Sequence, residues 1–198
     1  MNNEEIYIFR YKNGHLLKFK VNKSDQQRYE NRKSAARKNT IKKLAENRTG
    51  VIRTKEIKRK GPKGKLEFDD GYNKNKNKDE IEIGNWITDF FKHDVKLLKE
   101  QKGVKNPDAL INGNEYWEFK NSEKGGVDSL VRKGIKQVIS KGEAHIGNIV
   151  VDMKKTKLSK QKSGAEVTRR LVRDNANKKI KVVLKYDDNN VISYKRKK

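Results

Sequence analysis

With 198 residues, 32% of them hydrophobic and 38% charged, the chain holds apolar material for one modest core, and one domain with basic extensions is the expected organisation. It has no cysteine, which excludes disulfides, thiolate metal sites and a cysteine nucleophile, and no apolar run near the roughly 20 residues that a membrane span needs. A formal net charge of +24 far exceeds what solubility requires and makes nucleic acid the expected partner.

That charge is unevenly placed. Residues 1–78 hold 23 Lys and Arg against 9 Asp and Glu, residues 79–153 hold 11 against 13, and residues 154–198 hold 16 against 4. A nearly neutral middle between strongly basic flanks is the footprint of a core that works on a polyanion held by those flanks. Four segments follow: a basic hairpin and helix extension over 1–48, a basic linker over 49–78, a core over 79–153, and a basic helix and hairpin over 154–198 packed on that core. The start Met1-Asn-Asn-Glu-Glu lacks the form of a secretory signal, so the chain is expected to be soluble and cytoplasmic where it is made.

Ile6 to Lys12 and His15 to Val21 flank Asn13-Gly14, a type I′ turn signal, and predict a hairpin. Ser24 or Asp25 caps a helix to about Asn47, with Tyr29, Ala36, Ile41, Leu44 and Ala45 as a thin apolar stripe. Arg28, Arg32, Lys33, Arg37, Lys38, Lys42 and Lys43 cover the rest, either as a solvated face or as a phosphate track. The basic stretch 49–65, with Gly61-Pro62 and Gly64, and the Asn/Lys alternation of 73–78 read as mobile linkers. From Asp79 a helix begins with acidic residues in its first turn, and Ile83, Trp86, Ile87, Phe90 and Phe91 mark one buried face. At about 100° per residue Glu80 lies at the edge of that face and Glu82 nearly opposite. Glu80 is therefore the carboxylate expected in a site, with Gly84 leaving room over it and Glu82 as the alternative.

A short strand over 95–98 and a loop over 99–106 lead to a second hairpin, Asp108 to Ile111 and Glu115 to Lys120 around Asn112-Gly113. Trp117 and Phe119 fall on a core face, and Tyr116, Glu118 and Lys120 on the other. A three-residue loop, Asn112 to Asn114, sets Asp108 opposite Glu118; a two-residue loop sets it opposite Trp117. In the first register two carboxylates sit about 5 Å apart at Cβ, a conflict that a cation between them removes. After a turn over 122–126, a helix is expected over 127–141, with Leu130, Val131, Ile135, Val138 and Ile139 inward and Arg132, Lys133, Lys136 and Gln137 on other faces. The apolar run 146–153 predicts a strand buried on both faces, 154–163 a basic loop, 166–175 a short basic helix, and 180–186 with 191–194 a final hairpin. The order helix, strand, strand, strand, helix, strand makes an α/β sandwich with a mixed sheet. His15, His93 and His145 show no ligand spacing, and there is no Walker-type phosphate loop.

The ordered set Glu80-Ile-Glu-Ile-Gly, Asp94-Val-Lys-Leu-Leu-Lys, Asn106-Pro-Asp-Ala-Leu-Ile-Asn-Gly, Trp117-Glu-Phe-Lys and Gly134-Ile-Lys-Gln resembles the PD-(D/E)XK nuclease superfamily over about residues 79–153. Within it, the set is similar to the tRNase-type C-terminal domain of contact-dependent inhibition (CdiA) toxins, with related domains in phage and conjugative-element proteins. The resemblance implies an αβββαβ core and a metal-dependent nuclease that hydrolyses phosphodiester bonds of RNA, above all tRNA, as a toxin or mobile-element effector. It implies that Asp108 and Glu118 hold a divalent metal, Mg²⁺ or Mn²⁺, that Lys120 activates the attacking water, and that Glu80 completes the catalytic set. Arg132, Lys133, Lys136 and Gln137 are then the nucleic-acid-binding candidates. Hard carboxylate oxygens suit those ions. A toxin also implies a cognate immunity protein and delivery to a target cell. Two alternatives stay open: a DNA endonuclease of the same superfamily, and a non-catalytic nucleic-acid-binding protein of a phage or conjugative element.

Overall fold

The computed structural model describes residues 6–12, 15–21, 23–101, 103, 106–122, 126–139, 147–173 and 180–197, and for 6–21 the backbone alone. The Asn13-Gly14 turn, residues 123–125, His145, Ile146 and the expected helix ends at 140–141 and 174–175 lie outside them. The chain divides into two compact units, Met1–Arg48 and Thr49–Lys198. In unit 1, β1 (Ile6–Lys12) and β2 (His15–Val21) pair antiparallel, from Ile6 opposite Val21 to Lys12 opposite His15. Helix α1 (Lys23–Thr49) follows. None of its residues is buried, and Ile41 and Leu44 of the expected apolar stripe are each 63% exposed.

Unit 2 is an α/β layer structure. Its elements are β3 (Val51–Glu56), β4 (Leu66–Phe68), α2 (Lys78–Phe90), β5 (Val95–Leu97), β6 (Ala109–Ile111), β7 (Glu115–Asn121), α3 (Val127–Ile139), β8 (Gly147–Asp152), α4 (Lys160–Arg173), β9 (Lys181–Lys185) and β10 (Val191–Arg196). The eight strands form one mixed sheet in the order β3-β10-β9-β8-β7-β6-β5-β4. The pairs β4/β5, β7/β8 and β8/β9 are parallel and the other four antiparallel. Among the described residues no helix is long and apolar enough to cross a membrane.

Apolar side chains alternate between the two faces of the central strands. Ile149 and Val151, with Val182 and Leu184, join Val131 and Ile135 of α3 and Val167 and Leu171 of α4 in one core. Val150 and Val183, with Trp117 and Phe119, join Ile87 and Phe90 of α2 in the other. The expected strand buried on both faces is β8, as all of its residues but Asp152 are buried. The helical face read from Ile83, Trp86, Ile87, Phe90 and Phe91 is buried throughout.

Two expectations are corrected. Residues 49–78 are not a linker, because β3 and β4 within them form the two edges of the sheet. Val51 and Leu66 contribute apolar contacts, while the Lys and Arg side chains that dominate the composition stay exposed on the outer edge, where charge protects an open strand. The connection between them is tied by backbone bonds from Arg59 N–H to Phe90 O (2.9 Å) and Gly64 N–H to Thr88 O (3.0 Å). At Gly64 an added Cβ would lie 2.0 Å from His93 O, so only glycine allows this approach. The basic loop expected over 154–163 likewise ends early: α4 starts at Lys160, because Ser163, Gly164, Val167 and Leu171 supply a buried face at helical spacing.

A buried carboxylate cluster at the β6–β7 hairpin

The hairpin takes the three-residue loop. Asn112 (φ 49°) and Gly113 (φ 73°) both adopt the left-handed conformation their residue types tolerate, and Asn114 N–H donates to Ile111 O at 3.1 Å. The register pairs Ile111 with Glu115, Leu110 with Tyr116 and Ala109 with Trp117. One step further out, Asp108 stands level with Glu118, at the bend before β6. Phe119 N–H donates to Asp108 Oδ2 at 2.6 Å, which fixes that carboxylate against β7. The loop is held from β5's side by Asn112 N–H to Asp94 O (2.9 Å) and Asp94 N–H to Asn112 Oδ1 (3.0 Å).

Glu118 is fully buried, at 0% exposure. Its Oε1 accepts from Lys120 Nζ, while its Oε2 has no donor among the described residues; the Asp108 carboxyl is close enough to share a proton with Glu118. The face of β7 opposite Trp117 and Phe119 is thus covered. Glu80 of α2 is half-buried and accepts from the Tyr72 hydroxyl at 2.8 Å through Oε2. Glu82, the alternative, is exposed and pairs with Lys154. Gly84 does not open space over Glu80 as the sequence reading has it. A Cβ there would come 3.0 Å from Leu66 Cδ1 and 3.4 Å from Leu97 Cδ2, so this glycine lets α2 lie close on β4 and β5.

Three carboxylates crowd about Lys120, with Lys76 acting on Glu80 as well, and their acidities record the excess of negative charge. Burial, and then the charge of Asp108, push Glu118 well above the usual carboxylate range, against the pull of Lys120. Burial raises Asp108 too, although the Phe119 N–H and Lys120 oppose it. Glu80 is pushed up to about 7 by burial and then by Asp108, with the Tyr72 hydrogen bond opposing. Burial, and then Glu80, raise the Tyr72 hydroxyl in turn.

Beside the cluster lies a cavity of about 370 Å³ whose lining includes Glu80, Asp108, Asn106, Gln137, Lys76 and Glu100. The structure therefore brings Gln137 to the same space as two of the carboxylates. Arg132, Lys133 and Lys136 are exposed on α3 and do not line it. Glu118 and Lys120 also lie outside its lining. Sequence reasoning missed Tyr72, whose only signal is a lone aromatic eight residues before Glu80 in an Asn- and Lys-rich stretch. His93 stacks on Phe91 (5.9 Å between rings) and bonds Asn112 (2.8 Å), a packing role.

Among the described residues no three His, Cys, Asp or Glu side chains are gathered tightly enough to hold a metal ion together. The Asp108–Glu118 pair still fits one kind of ion. Mg²⁺ keeps most of its waters and is commonly held by one or two carboxylates, and the orphaned Glu118 Oε2 is a buried acceptor whose partner such an ion would be. Comparison of the chain with protein-family models, with curated proteins and with solved structures finds no match.

Proposed function

We propose that unit 2 is a metal-dependent nuclease of PD-(D/E)XK type that hydrolyses phosphodiester bonds of nucleic acid, with tRNA the expected substrate and DNA the alternative. The observation that carries the reading is Glu118: fully buried, one oxygen unpartnered, with Lys120 on the other and Asp108 level with it. A fold does not keep a buried unpaired carboxylate oxygen without cost, so a ligand for it is the economical explanation. The element order α2-β5-β6-β7-α3-β8 agrees with the αβββαβ core of the resemblance.

In this reading Asp108 and Glu118 hold the ion, which when bound polarises the phosphate and makes its water more acidic. Lys120 supplies positive charge beside the scissile phosphate and orients the attacking water. Glu80, with a pKa of about 7, can accept and release a proton near neutrality at Oε1, while Tyr72 fixes Oε2. Gln137 offers its amide to the substrate from α3.

The test is cleavage of labelled tRNA and of duplex DNA by the purified chain with Mg²⁺, Mn²⁺ or EDTA. Cleavage of one of them only with metal, abolished in Glu118→Gln while nucleic-acid binding persists, is the expected result. Cleavage that survives EDTA, or none of either substrate, overturns the proposal.

A further inference from the structure

Helix α1 offers a second contact for nucleic acid, of a different kind. It runs for 27 residues with none buried. Six of its nine cations form three exposed doublets, Arg32-Lys33, Arg37-Lys38 and Lys42-Lys43, each five residues after the last. Five residues turn an α-helix by about 140° beyond a full turn and advance it by about 7.5 Å. The doublets therefore wind round the helix and leave no side without positive charge. Within this pattern Lys33 and Arg37 repel at i,i+4 spacing, and Lys38 and Lys42 do so in part, since Lys42 also pairs with Glu46 at 3.8 Å; an enclosing polyanion would relieve that repulsion.

A helix lying on a flat or single-stranded polyanion uses one side and gains nothing from the rest. A helix inside a groove is flanked by phosphates on both sides. The major groove of B-DNA, about 12 Å wide, admits an α-helix, whereas that of A-form RNA is too deep and narrow. Ile41 and Leu44, each 63% exposed, lie only about 60° apart round the helix, among the doublets. Thymine methyl groups, which RNA lacks, are the apolar surface that the B-DNA major groove presents to such side chains. From these features we infer that α1 is a docking helix for duplex DNA, seated in the major groove, whichever polynucleotide unit 2 cuts.

The experiment is binding of the full chain, in EDTA so that no cleavage intervenes, to a 20-base-pair DNA duplex and to an RNA duplex of the same sequence. Neutralising the doublets should weaken binding to the DNA duplex at least about tenfold more than binding to the RNA duplex, a difference that belongs to α1 and not to unit 2. Replacing all six doublet residues by Gln should weaken DNA binding by about 100-fold or more at 0.1 M salt and reduce the salt slope by about 5. Each doublet neutralised singly should weaken it by a similar factor, about fivefold, with the Lys/Arg-swapped doublet retaining affinity. A loss on RNA equal to or larger than the loss on DNA, a six-residue variant that binds DNA as the parent does, or one doublet carrying the whole effect each overturns the inference. Helicity by circular dichroism, compared between parent and variant, checks that α1 is intact. Because the assay needs no turnover, a chain that docks on DNA yet cuts nothing would sink the nuclease reading and leave this one standing.

Discussion

Unit 2 buries charge in two places, and they are built on opposite accounts of neutrality. At the β8–β9 pair, Lys185 is 1% exposed; its ammonium lies 2.9 Å from Asp188 Oδ1, 3.8 Å from Asp152 Oδ2 and 5.4 Å over the Trp86 ring. There Lys185, with Lys154 beside it, answers to two carboxylates, and the Lys185 hydrogen bond holds Asp188 below the usual carboxylate range. At the β6–β7 hairpin three carboxylates share Lys120, with Lys76 acting on Glu80 from across the cavity, and all three are pushed up. A cation matched by its neighbours is part of the architecture; an excess of buried acceptors is what the proposed metal ion would neutralise.

The largest expected effect is at Lys120. Lys120→Met should lower single-turnover cleavage by about 100-fold or more, the scale of a lost water-activating group. Read as an exposed strand lysine it would matter little to stability. With Glu118 at 0% exposure, its loss should also destabilise the metal-free chain by about 1–2 kcal/mol at pH 8, read by urea unfolding. Undiminished cleavage would make the two clusters alike. Lys185→Met should do the reverse: about 1–3 kcal/mol of stability lost, because Asp188 and Asp152 lose the ammonium between them and Asp152 keeps only its bond from Lys154 N–H (2.8 Å), with cleavage per folded molecule within about twofold of the parent.

Glu118→Gln sharpens the contrast through pH. A carboxyl whose folded pKa is raised stabilises the native state below its unfolded pKa, and that contribution fades as pH rises through the folded value. In EDTA the parent should therefore lose stability from about pH 5 upward, and the Gln variant should exceed it by about 1–2 kcal/mol at pH 8 but not at pH 5. Mg²⁺ should close that gap by stabilising the parent alone. The smallest effect belongs to Tyr72→Phe. Without the hydroxyl, Glu80 rises further above about 7, so the acid limb of the cleavage profile should move up by about half a unit with the maximal rate little changed.

Much of this site was legible from spacing. Period 2 placed Trp117 and Phe119 against Glu118 and Lys120, Asn112-Gly113 marked the loop, and the helical period chose Glu80 over Glu82. What spacing could not reveal was depth. Alternation says that Glu118 turns away from Trp117, not that α3 covers it there, because burial on the second face depends on elements far along the chain. Composition misled over 49–78, where Lys and Arg outnumber the few apolar residues that anchor two edge strands. Tyr72 fell in the same blind spot.

The order of the sheet has a consequence for how the chain comes together. Its outermost strand on one side, β3, pairs with β10: Val51 lies opposite Arg196, and nearly all of unit 2 stands between them in the chain. The β6–β7 hairpin can zip from a local turn, whereas β3 has no ladder to join until β10 is in place. Such a pairing is slow and leaves an open strand during synthesis, which its Arg53 and Lys55 protect against sticking to other chains. A chain shortened within its last strand would forfeit two strands at once, and β9 would become the new raw edge.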